Sequence, residues 1–390
     1  MKPIKLCRLK SIFLNPRPHA QRGSCAAEIH IFTISKQLSP LATSIHHPRS
    51  PIAPEELDAY LSKGWRPAGQ GIYTAEFLRA DNEQIYGCIQ LRLLLTGFTF
   101  KKRHRKLMSR NGKRFRITFE PAVAPDLELE ELNQRYLALH PEKTRDTLDH
   151  HVIGEHSIKT LDTHIIRVYD GDKLVAFSYF DLGRETAYTK AGIYDPEYAS
   201  YSLGIYTMLL EINWLRDHGV KYYHPGYVSP RFPVFNYKMQ FGDMEFFQLS
   251  TVSWLPYDHE NPEDPYDLLE VALTQVQREL SGTGIAARIM EYPSYTACYH
   301  YQTSDVEMLD AAVFLYLAPT VYGTDLIITY TIGDGIYRLV EIRDSGLRDM
   351  NVMMVSNNGR PRYLLPSMVD GVLASSPSAV EMAGGVEEFA

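Results

Sequence analysis

Cysteine is scarce in this 390-residue chain: Cys7, Cys25, Cys88 and Cys298 stand far apart, with no Cys-x-x-Cys pair. That spacing excludes a sequence-local zinc or iron–sulfur site and fits a reducing compartment. Long apolar runs are missing too. None approaches the roughly 18 residues of a membrane span, and the stretch around Ile12 to Leu14 is far too short for an export signal. No acidic residue precedes Glu28, whereas Lys2, Lys5, Arg8, Lys10, Arg17 and Arg22 do. A disordered extension, a misplaced start and an organelle transit peptide all fit that leader. No strong positive balance exists either: the net charge of −7 excludes a wholesale nucleic-acid coat, so any basic footprint must be local.

What is present is an ordinary soluble composition, 45% hydrophobic and 22% charged, in a chain long enough for two domains or one with appendages. Residues 1–51 lack periodicity and read as a flexible extension. A short helix is expected over 55–61, a strand over 88–95, and a helix over 101–110 closed by Asn111-Gly112. A strand follows over 115–119, then an amphipathic helix over 126–138 with Leu127, Leu132, Tyr136 and Leu139 near one face. Strands at 165–169, 174–180 and 186–194 include a hairpin turned by Asp170-Gly171-Asp172. The next helix, 202–218, stops at Gly219, and a strand covers 220–223. A helix over 267–280 and a hairpin around Gly333-Asp334-Gly335 come later, and the Ser/Ala/Gly-rich end beyond Leu373 reads as frayed.

The order strand–helix–strand–strand–strand–helix–strand over 115–223 is that of an acetyltransferase-like fold, α+β in class. The expectation is a GNAT-type mixed sheet with flanking helices, a smaller N-terminal domain and a C-terminal β-rich appendage. Its divisions are 1–51, 52–122, 123–256, 257–372 and a disordered tail at 373–390. In such a fold the central helix starts at a splayed gap in the sheet, where its N–H groups suit an anion or oxyanion.

A more specific signal is the ordered string Tyr194-Asp195-Pro196, Ser202-Leu203-Gly204-Ile205-Tyr206, Glu211-Ile212, Tyr222-Tyr223, Gly226-Tyr227 and Tyr237-Lys238. It resembles the C-terminal half of arginyl-tRNA–protein transferases, which the bacterial leucyl-tRNA–protein transferases share. Upstream, Gly64-Trp65-Arg66 with Gly69 and Tyr73, and Cys88-Ile89-Gln90-Leu91-Arg92 with Phe98, also fit; the resemblance spans roughly residues 52–250. Two positions depart from it: Cys88 stands without the family's cysteine cluster, and Pro67-Ala68 replaces Arg-Ser. The resemblance implies transfer of arginine or leucine from aminoacyl-tRNA to the amine of proteins beginning with Asp or Glu. That reaction belongs to N-degron marking in the cytoplasm; with the family's cysteine cluster reduced to Cys88, no cofactor or metal is expected for this chain.

Each residue has a structural and a functional reading. Lys101, Lys102, Arg103, Arg105, Lys106 and Arg110 belong to a basic run without one acid, either a solvated helix face or a tRNA phosphate contact. Ser202 is a helix cap, and the same N-terminus with Gly204 can face the tRNA 3′ end or the ester oxyanion. Tyr206, one turn in, is either core or catalytic. Asp195 is a turn former or a group that orients or deprotonates the incoming ammonium. Glu211 is a surface glutamate or an inward carboxylate paired with Lys238 or Arg66. Lys238 suits the acceptor's acidic side chain or the terminal phosphate. Trp65, Arg66, Arg92 and Tyr194 join the substrate set by resemblance, and Tyr222, Tyr223, Tyr227 and Tyr237 are packing residues or a platform for the terminal adenosine. His150-His151 with Glu155 and His156 lacks clean metal spacing and reads as surface or loop.

Two rivals stand beside the aminoacyltransferase. An acyl-CoA-dependent N-acetyltransferase shares the fold but needs a second glycine where this chain has Tyr198-Ala199-Ser200-Tyr201-Ser202-Leu203-Gly204. A non-catalytic tRNA- or degron-binding relative is the other.

Overall fold

The computed structural model describes residues 43–80, 84–140, 148–153, 158–298, 307–319, 323–347, 359–387 and 389. The described residues open with β1 (Thr43–His46), α1 (Pro54–Ser62), β2 (Arg66–Ala68), β3 (Gly71–Ala75), β4 (Phe77–Arg79), β5 (Ile85–Gly87) and β6 (Ile89–Leu94). Next come α2 (Lys102–Gly112), β7 (Arg116–Pro121), α3 (Leu127–Leu139), α4 (Asp149–Val152), β8 (Thr163–Asp170), β9 (Lys173–Leu182) and β10 (Thr186–Tyr194). A 3-10 helix, Pro196–Tyr201, leads into α5 (Leu203–Asp217) and β11 (Tyr222–Val228); a second, Pro233–Gln240, leads to β12 (Met244–Gln248) and β13 (Ser253–Pro256). The C-terminal portion holds α6 (Pro265–Leu280), β14 (Arg288–Glu291), β15 (Val313–Pro319), β16 (Asp325–Thr331), β17 (Ile336–Asp344), β18 (Ser367–Ser376) and α7 (Ala379–Val386).

Among the described residues the largest sheet has eight strands in the order β13-β12-β6-β11-β10-β9-β8-β7. It is a mixed α+β arrangement. β6, from the 52–122 segment, lies between β12 and β11, so that segment and 123–256 share one sheet. Local chemistry explains the joints. Gly171 at φ 60° turns the β8–β9 hairpin, Gly219 at φ 76° ends α5, and Asp126 caps α3 by accepting from the Leu129 N–H at 3.0 Å. The buried face of α3 differs in part from the expected one. Leu132 and Tyr136 face the core as expected and Leu129 joins them, while Leu127 and Leu139, at the two ends of the helix, are 74% and 64% exposed.

α5 is buried nearly all round, with Leu203, Tyr206, Leu209, Ile212 and Leu215 in the core against β8, β9 and β10. β10 and β11 pair in parallel only from Thr186–Tyr222 to Tyr188–His224. Beyond that each strand carries an irregularity, at Thr189/Ala191 against β9 and at Tyr223/Gly226 against β6, and no further β10–β11 pairing is formed among the described residues. The sheet therefore opens where α5 begins.

Among the described residues the C-terminal portion is a five-stranded antiparallel sheet, β14 to β18, covered by α6 and α7. α6 buries Leu269, Leu273, Val276 and Leu280, the spacing of one helical face. Two expectations are corrected at the ends of the chain. Thr43–His46, placed in the extension, pairs with β3, and residues 373–387, placed in a frayed tail, finish β18 and form α7. Met382, Ala383 and Val386 are buried in the C-terminal core; three apolar residues amid small ones were too sparse a pattern to read. Met382→Ala is expected to lower stability by about 2–5 kcal/mol, measured from urea unfolding. A change near zero would show a frayed segment instead.

Candidate active site

The sheet opening has two polar walls. On the α5 side sits Glu211, which is 0% exposed. Tyr223 on β11 donates its hydroxyl to Glu211 Oε2 at 2.7 Å, and Thr189 on β10 donates to Oε1 at 3.2 Å, with Ser178 alongside. These strand residues lie within a residue of the last parallel pair, so the carboxyl stands at the root of the opening. The expected pairing of Glu211 with Lys238 or Arg66 is replaced by hydroxyls. Burial pushes the carboxyl up to about 7, and the three hydroxyls pull it back only in part. Such a group exchanges a proton near neutral pH, the working range of a general base.

The other wall is cationic and comes from the N-terminal strands and the second 3-10 helix. Arg66 is 2% exposed, sandwiched between the rings of Tyr73 and Tyr227 at 4.7 and 4.6 Å. Its Nη2 donates to the Ala75 carbonyl at 3.2 Å, whereas Nε and Nη1 make no hydrogen bond. Lys238 is 8% exposed, donates from Nζ to the Tyr227 carbonyl at 2.8 Å, and lies over Phe235 and Tyr227. Gly226 at φ 92° joins the two: a Cβ there would meet Lys238 Nζ at 3.1 Å and the Tyr188 hydroxyl at 3.5 Å. Only glycine satisfies both the backbone and the close approach. Cys88 completes this wall as an un-ionised thiol, since burial pushes it up to about 11 despite Arg66.

α5 begins at the mouth. Ser202 is exposed and left-handed, φ 51° and ψ 48°, and makes no capping hydrogen bond, so the simple cap reading is corrected. That backbone conformation is uncommon for serine and follows from joining a 3-10 helix to α5 at an angle. The Tyr194 ring lies 3.5 Å from where a Cβ on Gly204 would sit. α2 ends against this mouth: Arg110 donates to the Ser200 carbonyl at 3.3 Å and Asn111 to that of Tyr201 at 2.9 Å. Lys102, Arg105, Lys106, Ser109, Arg110 and Lys113 line one open groove on α2. Lys101 precedes the helix, and Arg103 turns away to the Gln240 carbonyl at 3.1 Å.

Other expected residues fall elsewhere. Asp195 is bound to Lys173 at 3.0 Å and Arg135 at 3.4 Å and caps the 3-10 helix through the Glu197 N–H. Burial would raise its carboxyl, but Lys173, that N–H and Arg135 outweigh it and hold the group below the usual range, the turn-former reading rather than a base. Tyr206 is 1% exposed core, its hydroxyl pushed up to about 12 by burial. Trp65 packs on Tyr60, and Arg92 pairs with Glu245 at 2.6 Å while stacking on Tyr222 and Trp254. Tyr237 is 46% exposed beside the opening. His150 and His151 pack edge to face with their rings 4.9 Å apart; Glu155 and His156 lie outside the described residues. Thr189, Ser178, Tyr73 and Tyr188 were missed. Strand alternation places them on a face but names no partner across the sheet.

The opening thus joins a helix N-terminus, a protonatable carboxyl and a wall of buried cations on one mixed α+β sheet. The sequence model described as "Arginine-tRNA-protein transferase, C terminus" matches residues 128–248. An aspartate/glutamate leucyltransferase of Leptospira interrogans is 26% identical over 199 residues, 48% of this chain and 72% of that protein. One of Vibrio cholerae is 26% identical over 190 residues, 48% and 78% of the two chains. Arginyl-tRNA–protein transferase 2 of Arabidopsis thaliana is 28% identical over 106 residues, 25% and 18%. A solved structure of FemX gives a TM-score of 0.29 at 12% identity, covering 45% of this chain and 60% of that one. Over residues 128–248 the chain is thus similar to the C-terminal part of arginyl-tRNA–protein transferases, and over about half its length to leucyltransferases.

The Glu211 carboxyl, observed by ¹³C NMR, is expected to titrate near 7, and Tyr223→Phe to move the midpoint higher by removing a donor to the charged form. The raised value means the folded state holds the proton more tightly than the unfolded chain does. This group's stabilisation is therefore complete below about 4.5 and lost as pH rises through about 7. A midpoint near 4.5 would contradict the burial.

Proposed function

We propose that the protein transfers an amino acid, arginine or leucine, from aminoacyl-tRNA to the N-terminal amine of proteins beginning with Asp or Glu, in cytoplasmic N-degron marking. The observation that carries this reading is the Arg66–Lys238 wall: two buried cations, one with two nitrogens that make no hydrogen bond. A buried guanidinium with open donors is costly unless an anion arrives, and an acidic side chain fits that demand. The family-model match over residues 128–248 and the names of the relatives support the same donor and acceptor.

In this reading the α2 groove holds tRNA phosphates and leads to the mouth of α5, where the helix N–H groups face the ester carbonyl. The acceptor's acidic side chain lies against Arg66 and Lys238, which aims its amine at the ester. The amine nitrogen attacks the carbonyl carbon, giving a tetrahedral oxyanion that α5 stabilises. Glu211 takes the amine's proton and returns a proton to the 3′ oxygen as its bond to the carbonyl carbon breaks, so that the 3′ hydroxyl leaves. An ester is already reactive, so alignment supplies much of the rate.

Incubation with charged arginyl-tRNA or leucyl-tRNA and an Asp-initiated peptide is expected to yield peptide carrying the donor amino acid. Lys238→Ala should raise the acceptor KM roughly tenfold or more, the cost of losing a charge-assisted contact. Lys102→Ala and Arg105→Ala should weaken tRNA binding and each reduce its log–log salt slope by about 1. No labelled peptide from either donor would sink the reading, and salt-sensitive tRNA binding without turnover would point to a non-catalytic relative.

A further inference from the structure

The C-terminal portion, from the start of α6 onward, has no part in the reaction just described, yet it grips the segment that carries Lys238. After β11 the chain runs Ser229-Pro230-Arg231-Phe232 into the 3-10 helix Pro233–Gln240. Arg231 leaves this loop and enters the first turns of α6. Its Nη2 donates to Asp267 Oδ1, and its nitrogens lie 3.8 Å from Asp264 Oδ2 and 3.9 Å from Glu270 Oε2. The guanidinium also covers the Tyr266 ring at 4.8 Å.

An exposed ion pair alone contributes little. Here one cation meets three carboxylates and an aromatic face, and one of those carboxylates, Asp264, is 1% exposed. The receiving end is firmly built. Asp264 caps α6 through the Tyr266 N–H at 2.9 Å and abuts Gly87, where a Cβ would lie 1.8 Å from its Oδ1. Tyr266 in turn donates to buried Glu291 at 2.8 Å, and Glu291 faces buried Arg362 at 3.4 Å.

The connection onward is stiff. Pro230 and Pro233 bracket Arg231-Phe232 and fix φ on both sides. Phe232 stacks on Tyr86 at 4.8 Å and meets Phe235 edge to face at 5.7 Å; Phe235 packs on Tyr227 and lies 4.7 Å from Lys238 Nζ. A shift at Arg231 therefore reaches Lys238 through two prolines and an aromatic relay.

We infer that Arg231 is a positioning residue, and that α6 of the C-terminal portion sets the place of the Pro233–Gln240 segment, and with it Lys238, by clamping Arg231. Lys238's role against the acceptor rests on the proposed transfer reaction; the clamp itself does not.

The test uses the full chain with Arg231→Ala, Arg231→Lys, Lys238→Ala and the Arg231→Ala/Lys238→Ala double variant. Hydrogen exchange over residues 233–240 is expected to quicken about tenfold in Arg231→Ala, with α5 unchanged. Exchange there equal to the native chain's would overturn the clamp, and general acceleration including α5 would overturn it too, by showing a fold defect. In transfer assays Arg231→Ala should lower kcat/KM for the Asp-initiated peptide about tenfold through KM, with Arg231→Lys recovering most of the loss. On the Lys238→Ala background it should add nothing, and losses that multiply would overturn positioning through Lys238. If the native chain transfers no amino acid, the functional reading fails while the exchange result still decides the clamp.

Discussion

Three residues of parallel pairing between β10 and β11, and no more among the described residues, are the constraint on which the site depends. A parallel pair held along its full length would seal the sheet and bury Tyr188, Thr189, Tyr223 and Tyr227 against one another. Instead both strands carry an irregularity just past the last pair, and Gly226 at φ 92° allows β11 to bend away. Ladder irregularities of this kind re-aim side chains. Here ordinary strand alternation sends Thr189 and Tyr223 toward α5 and Tyr188 toward Arg66, and the Tyr223/Gly226 shift turns Tyr227 to the Arg66 side as well.

The two walls that result carry opposite charge chemistry. Glu211 is stabilised as a carboxylate only by hydroxyls, so burial leaves it near neutrality rather than fully ionised. Arg66 keeps its charge but is hydrogen-bonded at one nitrogen only, its faces covered by tyrosines. Neither arrangement optimises stability, because buried polar groups without full partners cost free energy. Such strain is expected where a ligand supplies the missing partners. The clamp at Arg231 belongs to the same logic: a wall that must hold two cations in place is braced from outside.

Much of this architecture is legible in the sequence. The β8–β9 hairpin, α5 with Gly219 at its end, and the strand–helix order follow from period and turn chemistry, and Glu211 and Lys238 follow from the family string. The misses share one physical cause. Whether Glu211 meets a cation or hydroxyls depends on residues 12 and 22 positions away across a sheet. Arg66 turned out buried because Tyr227 closes over it from the far end of the domain. The same holds for Asp195, whose partners Arg135 and Lys173 come from separate elements. Ser202 hides a left-handed backbone behind a good capping residue, and α7 hides a buried face behind small residues.

The placement of the reaction at the sheet opening is tested most directly by binding a non-hydrolysable fragment, adenosine carrying an amide-linked 3′ amino acid, to isotope-labelled protein. Backbone and side-chain NMR shifts should concentrate at Thr189, Gly204, Glu211, Tyr223 and Gly226, with α6 and α7 silent. Saturable binding with shifts confined to the C-terminal sheet and its helices would contradict it.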